Sequence, residues 1–268
     1  MAQTVSREST VESREFTLNI CHLYPDLMDT YGDRGNILAI TKRCHDRGIN
    51  VTVSLISVGD NLEPKIHDLY FFGGGQDQAQ TIVGIDLQKK KSQLIRDIEN
   101  SAVMLSVCGG YQLLQKYFKT KDGNKIGGIG LFDAYTEASD IRMMNNLLIE
   151  IDPELSSEIE ISYQKPETSS KLIGFENHSG KTFLGKSIKP LGTVISGNGN
   201  NGENKTEGAV YENAFGCYLH GSLLPKNPHF ADFLISKALE RKYGKVELKP
   251  LDDSIEWNAH NSAIKRIS

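Results

Sequence analysis

Short apolar runs rich in β-branched and aromatic residues alternate with helical patterns through the first half of the chain, and this alternation most constrains the fold. It predicts an α/β architecture: βα units around an open, mostly parallel sheet flanked by helices. The stretch FTLNICHLYP (16–25) reads as a first strand, and NILAITKRCHDRG (36–48) as a helix with Ile37, Ile40, Thr41 and Cys44 on one face. Strands are expected over 50–58 and 68–72, a helix over 86–100, and a strand over 102–107 that ends at Cys108. From about residue 127 the apolar runs shorten and glycines multiply, which predicts a β-rich C-terminal extension of the same sheet, without helices until 227–244.

With 268 residues and 38% hydrophobic content the chain can bury a sizeable core. One domain is expected over 15–250, after a polar, disordered lead (1–14) and before a tail (251–268) that reads as a docking helix or a loose segment. A formal charge of -4 argues against nucleic acid as a partner, and Lys89, Lys90 and Lys91 read as a solvated helix face. The lead has no apolar core, so neither a signal peptide nor a transmembrane segment is expected, and no later run approaches the about 18 apolar residues of a membrane span. A cytoplasmic location follows, in which Cys21, Cys44, Cys108 and Cys217 stay reduced. Their spacing suggests no metal site.

Cys108 sits in LSVCGGYQLL (105–114), between an apolar strand and a helical pattern. A free thiol ionises near about 8.5, so a nucleophilic cysteine needs a base or a helix N-terminus beside it. A strand-turn-helix elbow would supply the second, with Gly109 and Gly110 allowing the sharp turn. Taken alone, Cys108 fits a small buried hydrophobe equally well. Two further stretches favour chemistry. In FFGGGQDQ (71–78) the N–H of Gly74 or Gly75 could join that of Gly109 as an oxyanion hole, a contribution of about 2.7–4 kcal/mol per donor in acyl-transfer sites. In GCYLHGSLLP (216–225) a strand delivers His220 to its end; His45 and His67 read as surface positions, which leaves His178 as the rival base.

SVCGGYQLL followed by YLHG resembles the class I glutamine amidotransferases, and the spelling CGGYQ is similar to their cobyric acid synthase branch. Within it, LYPDLMDTYGDRGNI (23–37), FFGGGQDQ, YTEASDIR (135–142) and IGFENHSG (173–180) resemble the GatD-type glutaminase subunits of lipid II isoglutaminyl synthase. The resemblance implies a flavodoxin-like fold and hydrolysis of L-glutamine through a cysteinyl thioester. It makes Cys108 the nucleophile, His220 the base, Gly75 and Gly109 the oxyanion donors, and Gln112 and Arg142 the substrate contacts, Arg142 for the α-carboxylate. It implies no cofactor in this chain: ATP and metal would belong to a MurT-type ligase that amidates the D-glutamate α-carboxylate of lipid II at the inner membrane face. Service to a different synthetase, or a catalytically weak scaffold, are the alternatives.

Ser222 and Ser106 depart from that pattern. Ser222 stands where such domains carry a glutamate two residues after the histidine, so the third carboxylate is absent, comes from elsewhere in the chain or comes from the partner, the last being favoured. Asp33, on the loop after the first strand, reads first as a helix cap and second as a substrate or partner contact. Ser106 replaces a usual glycine, with little expected consequence. GKTFLGKS (180–187) matches a P-loop letter for letter, but it is followed by loop and strand signals rather than a helix and is read as coincidence. GNGNNGENK (197–205) has the composition of a mobile loop.

Overall fold

A computed structural model describes residues 15–163 and 169–267 of the chain; the expected disordered lead, 1–14, lies outside them. In chain order the first half contains β1 (Thr17–Leu23), α1 (Arg34–His45), β2 (Asn50–Ile56), β3 (Leu69–Phe72), α2 (Asp77–Glu99), β4 (Val103–Val107) and α3 (Gly109–Leu114). There follow β5 (Tyr117–Lys119), β6 (Lys125–Gly127), β7 (Ala134–Ile151), α4 (Pro153–Tyr163), β8 (Lys171–Leu184) and β9 (Gly192–Ser196). The chain then runs through β10 (Thr206–Glu207), β11 (Ala209–Tyr211), β12 (Ala214–Cys217), α5 (Pro228–Tyr243) and α6 (Ser254–Lys265).

The first sheet has the order β11-β12-β4-β3-β1-β2, parallel except for the edge strand β11. Its central strands β3 and β4 are buried at every residue, as expected of a parallel sheet covered on both faces. This is the open α/β sheet that the alternating pattern predicts. Its ligand crevice lies at the carboxyl ends of the strands.

The C-terminal half does not simply extend that sheet. Strands β5 to β10 build a second, largely antiparallel sheet, and only β11 and β12 return to the first. The long β7–β8 pair is the spine of the second sheet, and a register shift between Ala138 and Met143 interrupts it. Composition could not separate one extended sheet from two, because pairing partners are chosen by packing rather than by local preference.

Other local expectations are also corrected. α4 was not expected: Pro153 opens it, Asp152 Oδ1 accepts the N–H of Glu154 at 3.1 Å, and Leu155, Ile159 and Tyr163 bury a helical stripe. α2 begins at Asp77, well before 86, and α3 runs only from Gly109 to Leu114, with 117–119 in a strand. Lys90 is buried and paired with Asp86 rather than solvated, and His67 is buried beside Tyr70. Asn200 and Asn201 in the 197–205 loop are buried, held by bonds to Gly208 and Thr182 carbonyls at 2.9 and 3.0 Å. The P-loop match falls on β8 and the turn after it, with no helix following, as expected.

The tail docks as α6. Arg43 of α1 forks between Asp232 of α5 (2.6 Å) and Asp253 at the start of α6 (2.7 Å), all three buried. Trp257 of α6 stacks on His229 of α5, centroids 5.2 Å apart. Among the described residues no helix is long and apolar enough to cross a membrane.

Candidate active site

Neighbouring strands β12, β4, β3 and β1 all end at one edge, and each delivers one part of the site. They carry His220, Cys108, the Gly73–Gly75 turn and the Asp33 loop respectively. Residues scattered over the sequence therefore meet in one crevice.

Cys108 occupies a left-handed backbone conformation, φ 49 and ψ −108, which is costly for a residue with a side chain and recurs where function holds strain. Its N–H is tied to the Cys217 carbonyl at 2.8 Å, and the Gly110 N–H to the Gly73 carbonyl at 3.0 Å, so the elbow is clamped between the ends of β12 and β3. A Cβ added to Gly110 would lie 2.5 Å from the Phe72 oxygen, so no larger residue fits under the elbow. The other thiols, Cys21, Cys44 and Cys217, are pushed up by burial, whereas Cys108 lines the open cleft.

His220 is fully buried beside Cys108. Its Nδ1 donates to Asp33 Oδ1 at 3.1 Å, since a carboxylate can only accept, which leaves Nε2 as the nitrogen on the cysteine side. Burial works against an imidazolium here, but the interactions with Cys108 and with Asp33 outweigh it and hold the His220 pKa well above its ordinary value. A histidine so held is placed to exchange a proton with Cys108.

Asp33 is therefore not the helix cap expected of it: its side chain makes no bond to α1, and Asp29 Oδ1 accepts the Arg34 N–H instead, at 2.6 Å. The favoured idea of a carboxylate lent by a partner is likewise not needed, because this chain already sets one against His220. Ser222 donates to the Gly32 carbonyl at 2.6 Å and so fastens the loop that carries Asp33.

The cleft in front of Cys108 encloses about 540 Å³ and is lined by Gly75, Gln80, Gln112, Arg142, Asn177 and His178, among others. The register shift in β7 turns Arg142 to its rim, where Nε donates to Asn177 Oδ1 at 2.7 Å and a terminal nitrogen to the Tyr31 hydroxyl at 3.1 Å. Gln112 is bound into a buried relay: its Oε1 accepts from Gln80 and its Nε2 donates to the Tyr218 hydroxyl, both at 3.0 Å. His178 lies flat on Tyr218, centroids 3.6 Å apart, with Nδ1 donating to the Gly180 carbonyl at 2.8 Å; burial lowers its pKa to about 3, so it stays neutral. The backbone of Gly109 abuts that of Gly75, whose nitrogen lies 2.9 Å from where a Gly109 Cβ would stand.

The family description CobB/CobQ-like glutamine amidotransferase domain matches residues 19–228. The chain belongs to this family. It is 41% identical, over 89% of its length and 87% of the relative's, to the lipid II isoglutaminyl synthase (glutamine-hydrolyzing) subunit GatD of Streptococcus pneumoniae (strain ATCC BAA-255 / R6). To the subunit of the same name in Staphylococcus aureus (strain N315) it is 38% identical, over 94% of this chain and 96% of that one. A solved chain, PurLQS from Thermotoga maritima, superimposes with a TM-score of 0.51 at 12% identity, over 83% of this chain and 98% of that chain, a likeness of fold.

For a CobB/CobQ-like glutamine amidotransferase, the structure brings together Cys108, His220, Gly75, Gly109, Gln112 and Arg142, all expected from the sequence, around one cleft. It adds Tyr31, whose ring edge meets His220 with centroids 5.1 Å apart, and Asp33. The signal for both was the position of their loop, after the first strand and thus at the ligand edge. Nothing local told which side chain would turn inward.

Proposed function

We propose that this chain is the glutamine-hydrolysing subunit of a lipid II isoglutaminyl synthase, with Cys108 as nucleophile and His220 as general acid and base. The observation that carries the reading is the strained cysteine elbow set against a buried, carboxylate-bound histidine at the floor of a cleft with Arg142 on its rim. Arg142 offers a fork for the α-carboxylate of L-glutamine, which lays the side-chain amide toward Cys108. Sγ adds to the amide carbon, and the oxyanion takes N–H bonds from Gly75 and Gly109. The imidazolium gives its proton to the nitrogen as the C–N bond breaks, and ammonia leaves a glutamyl thioester. His220 then takes a proton from water, hydroxide adds to the thioester carbon, and the thiolate departs to release glutamate. Gln112 orders the wall of the cleft through Gln80 and Tyr218.

Ammonia passes to a MurT-type ligase, which carries the ATP and metal and amidates the D-glutamate α-carboxylate of lipid II at the inner face of the membrane. The two GatD relatives support this assignment by their names and by similarity over most of the chain. The test is to incubate the complex with [amide-15N]glutamine, ATP and lipid II. Label is expected in the isoglutamine amide, and none with Cys108→Ala. Label-free lipid II alongside ammonia-driven amidation would sink the reading.

A further inference from the structure

We infer that Asp33 is the positioning residue of this site, one carboxylate that aims the His220 imidazole with one oxygen and holds the oxyanion loop with the other; the inference rests on the proposed glutaminase reading. Oδ1 accepts from His220 Nδ1 at 3.1 Å, and Oδ2 accepts the Gly74 N–H at 2.8 Å. Gly74 is joined directly to Gly75, so the same side chain sets both the base and the loop that carries the Gly75 N–H.

The surrounding loop is built to aim this carboxylate. Asp33 is fully buried, and among the described residues His220 is its ion-pair partner. A buried carboxylate needs such compensation, since a charge taken out of water without a partner is strongly destabilising. The work of starting α1 has passed to Asp29. Thr30 N–H is bonded to the Gly74 carbonyl at 3.1 Å, which stitches the Asp33 loop to the glycine loop a second time. Ser222 seals the other side: a Cβ on Gly35 would lie 2.0 Å from its Oγ, so loop and histidine strand are in direct contact where related domains have their glutamate. In this chain the orienting acid lies on the loop after β1, and Ser222, in the turn after His220, braces that loop.

A carboxylate can accept from both His220 and Gly74, whereas an amide in its place presents one acceptor and one donor and must lose one of the two bonds. Asp33→Asn in the full complex is therefore expected to lower kcat about 100-fold or more with KM for glutamine within about 3-fold, the scale of a misaligned base. Without the anion the imidazolium is less stable, so the alkaline limb of kcat/KM moves to lower pH. Iodoacetamide alkylation of Cys108 across pH reads the same coupling without turnover. Thiolate formation should move to higher pH in Asp33→Asn than in wild type. Unchanged alkylation and pH limbs with kcat within about 3-fold of wild type would overturn the inference. If wild type alkylates with the expected coupling but hydrolyses no glutamine, the glutaminase reading fails and the Asp33 arrangement stands. Should the Asn variant not fold, 15N-histidine NMR of the wild-type chain decides. His220 with Nδ1 protonated and hydrogen-bonded at neutral pH supports the inference, and an unprotonated Nδ1 overturns it.

Discussion

Tyr31 stands edge-on against His220, ring planes at 75°, while its hydroxyl accepts a hydrogen bond from Arg142 at 3.1 Å. One residue thus contacts both the base and the cation on the rim, and it does so from a left-handed backbone, φ 55. Tyr31→Phe keeps the ring contact and removes the acceptor. Steady-state kinetics should show KM for glutamine raised about 3- to 10-fold, the value of one ordinary hydrogen bond, with kcat within about 2-fold. A fall in kcat with KM unchanged would contradict this division of labour.

Gly74 lies where a methyl group would stand 2.8 Å from His220 Cε1 and 2.7 Å from Thr30 Oγ1. Thr30 can rotate away, but the imidazole is held by Asp33 and its surroundings. Gly74→Ala is expected to cut glutamine hydrolysis at least about 10-fold through displacement of the ring. Circular dichroism and thermal unfolding should show a folded protein. Activity near wild type would mean the ring has room that the structure does not show.

Glu207 is fully buried near the site; its Oε1 accepts the Tyr218 N–H at 2.5 Å, and among the described residues its Oε2 has no hydrogen-bond partner. Burial, with the nearby Glu176 charge, raises its pKa to about 8. In the unfolded chain a glutamate titrates near about 4.3, so between these values the folded state holds a proton that the unfolded state does not. Stability from this group is full below pH about 4 and is lost as pH rises toward about 8, by up to about 1.4 kcal/mol per pH unit. Denaturation series should show that slope in wild type and a flatter one in Glu207→Gln, which mimics the protonated form.

Arg43 is buried between Asp232 and Asp253, with all three side chains at most 7% exposed. Arg43→Ala leaves two buried carboxylates without their shared cation. Urea unfolding should report a loss of about 3–5 kcal/mol, tempered where Arg47 still pairs with Asp232 at 2.6 Å. Loss below about 1 kcal/mol would show that water reaches the vacated position.

Much of the site was legible because its pieces are local. Cys108 between an apolar strand and two glycines, the glycine run after β3, and His220 at a strand end are each marked by their immediate neighbours. Arg142 was different: only likeness to relatives singled it out, and the register shift that turns it to the rim belongs to the β7–β8 pairing. Asp33 was noticed but read as a cap, since an aspartate before a helix has that role by local rule. Lys90, in a run of three lysines, looked solvated: its partner Asp86 lies only one helical turn back, but the packing of Tyr24, 62 positions from Asp86, is what buries the pair.

By itself, then, the order of residues determined the parallel sheet, the crevice edge and the nucleophile elbow, because periodicity and glycine placement act over a few neighbouring residues. The tertiary structure alone decided that the C-terminal half forms a second sheet and that Asp33, 187 positions from His220, orients it. Those outcomes depend on which distant surfaces pack together, and a buried carboxylate takes its role from the group that packing sets within hydrogen-bond reach.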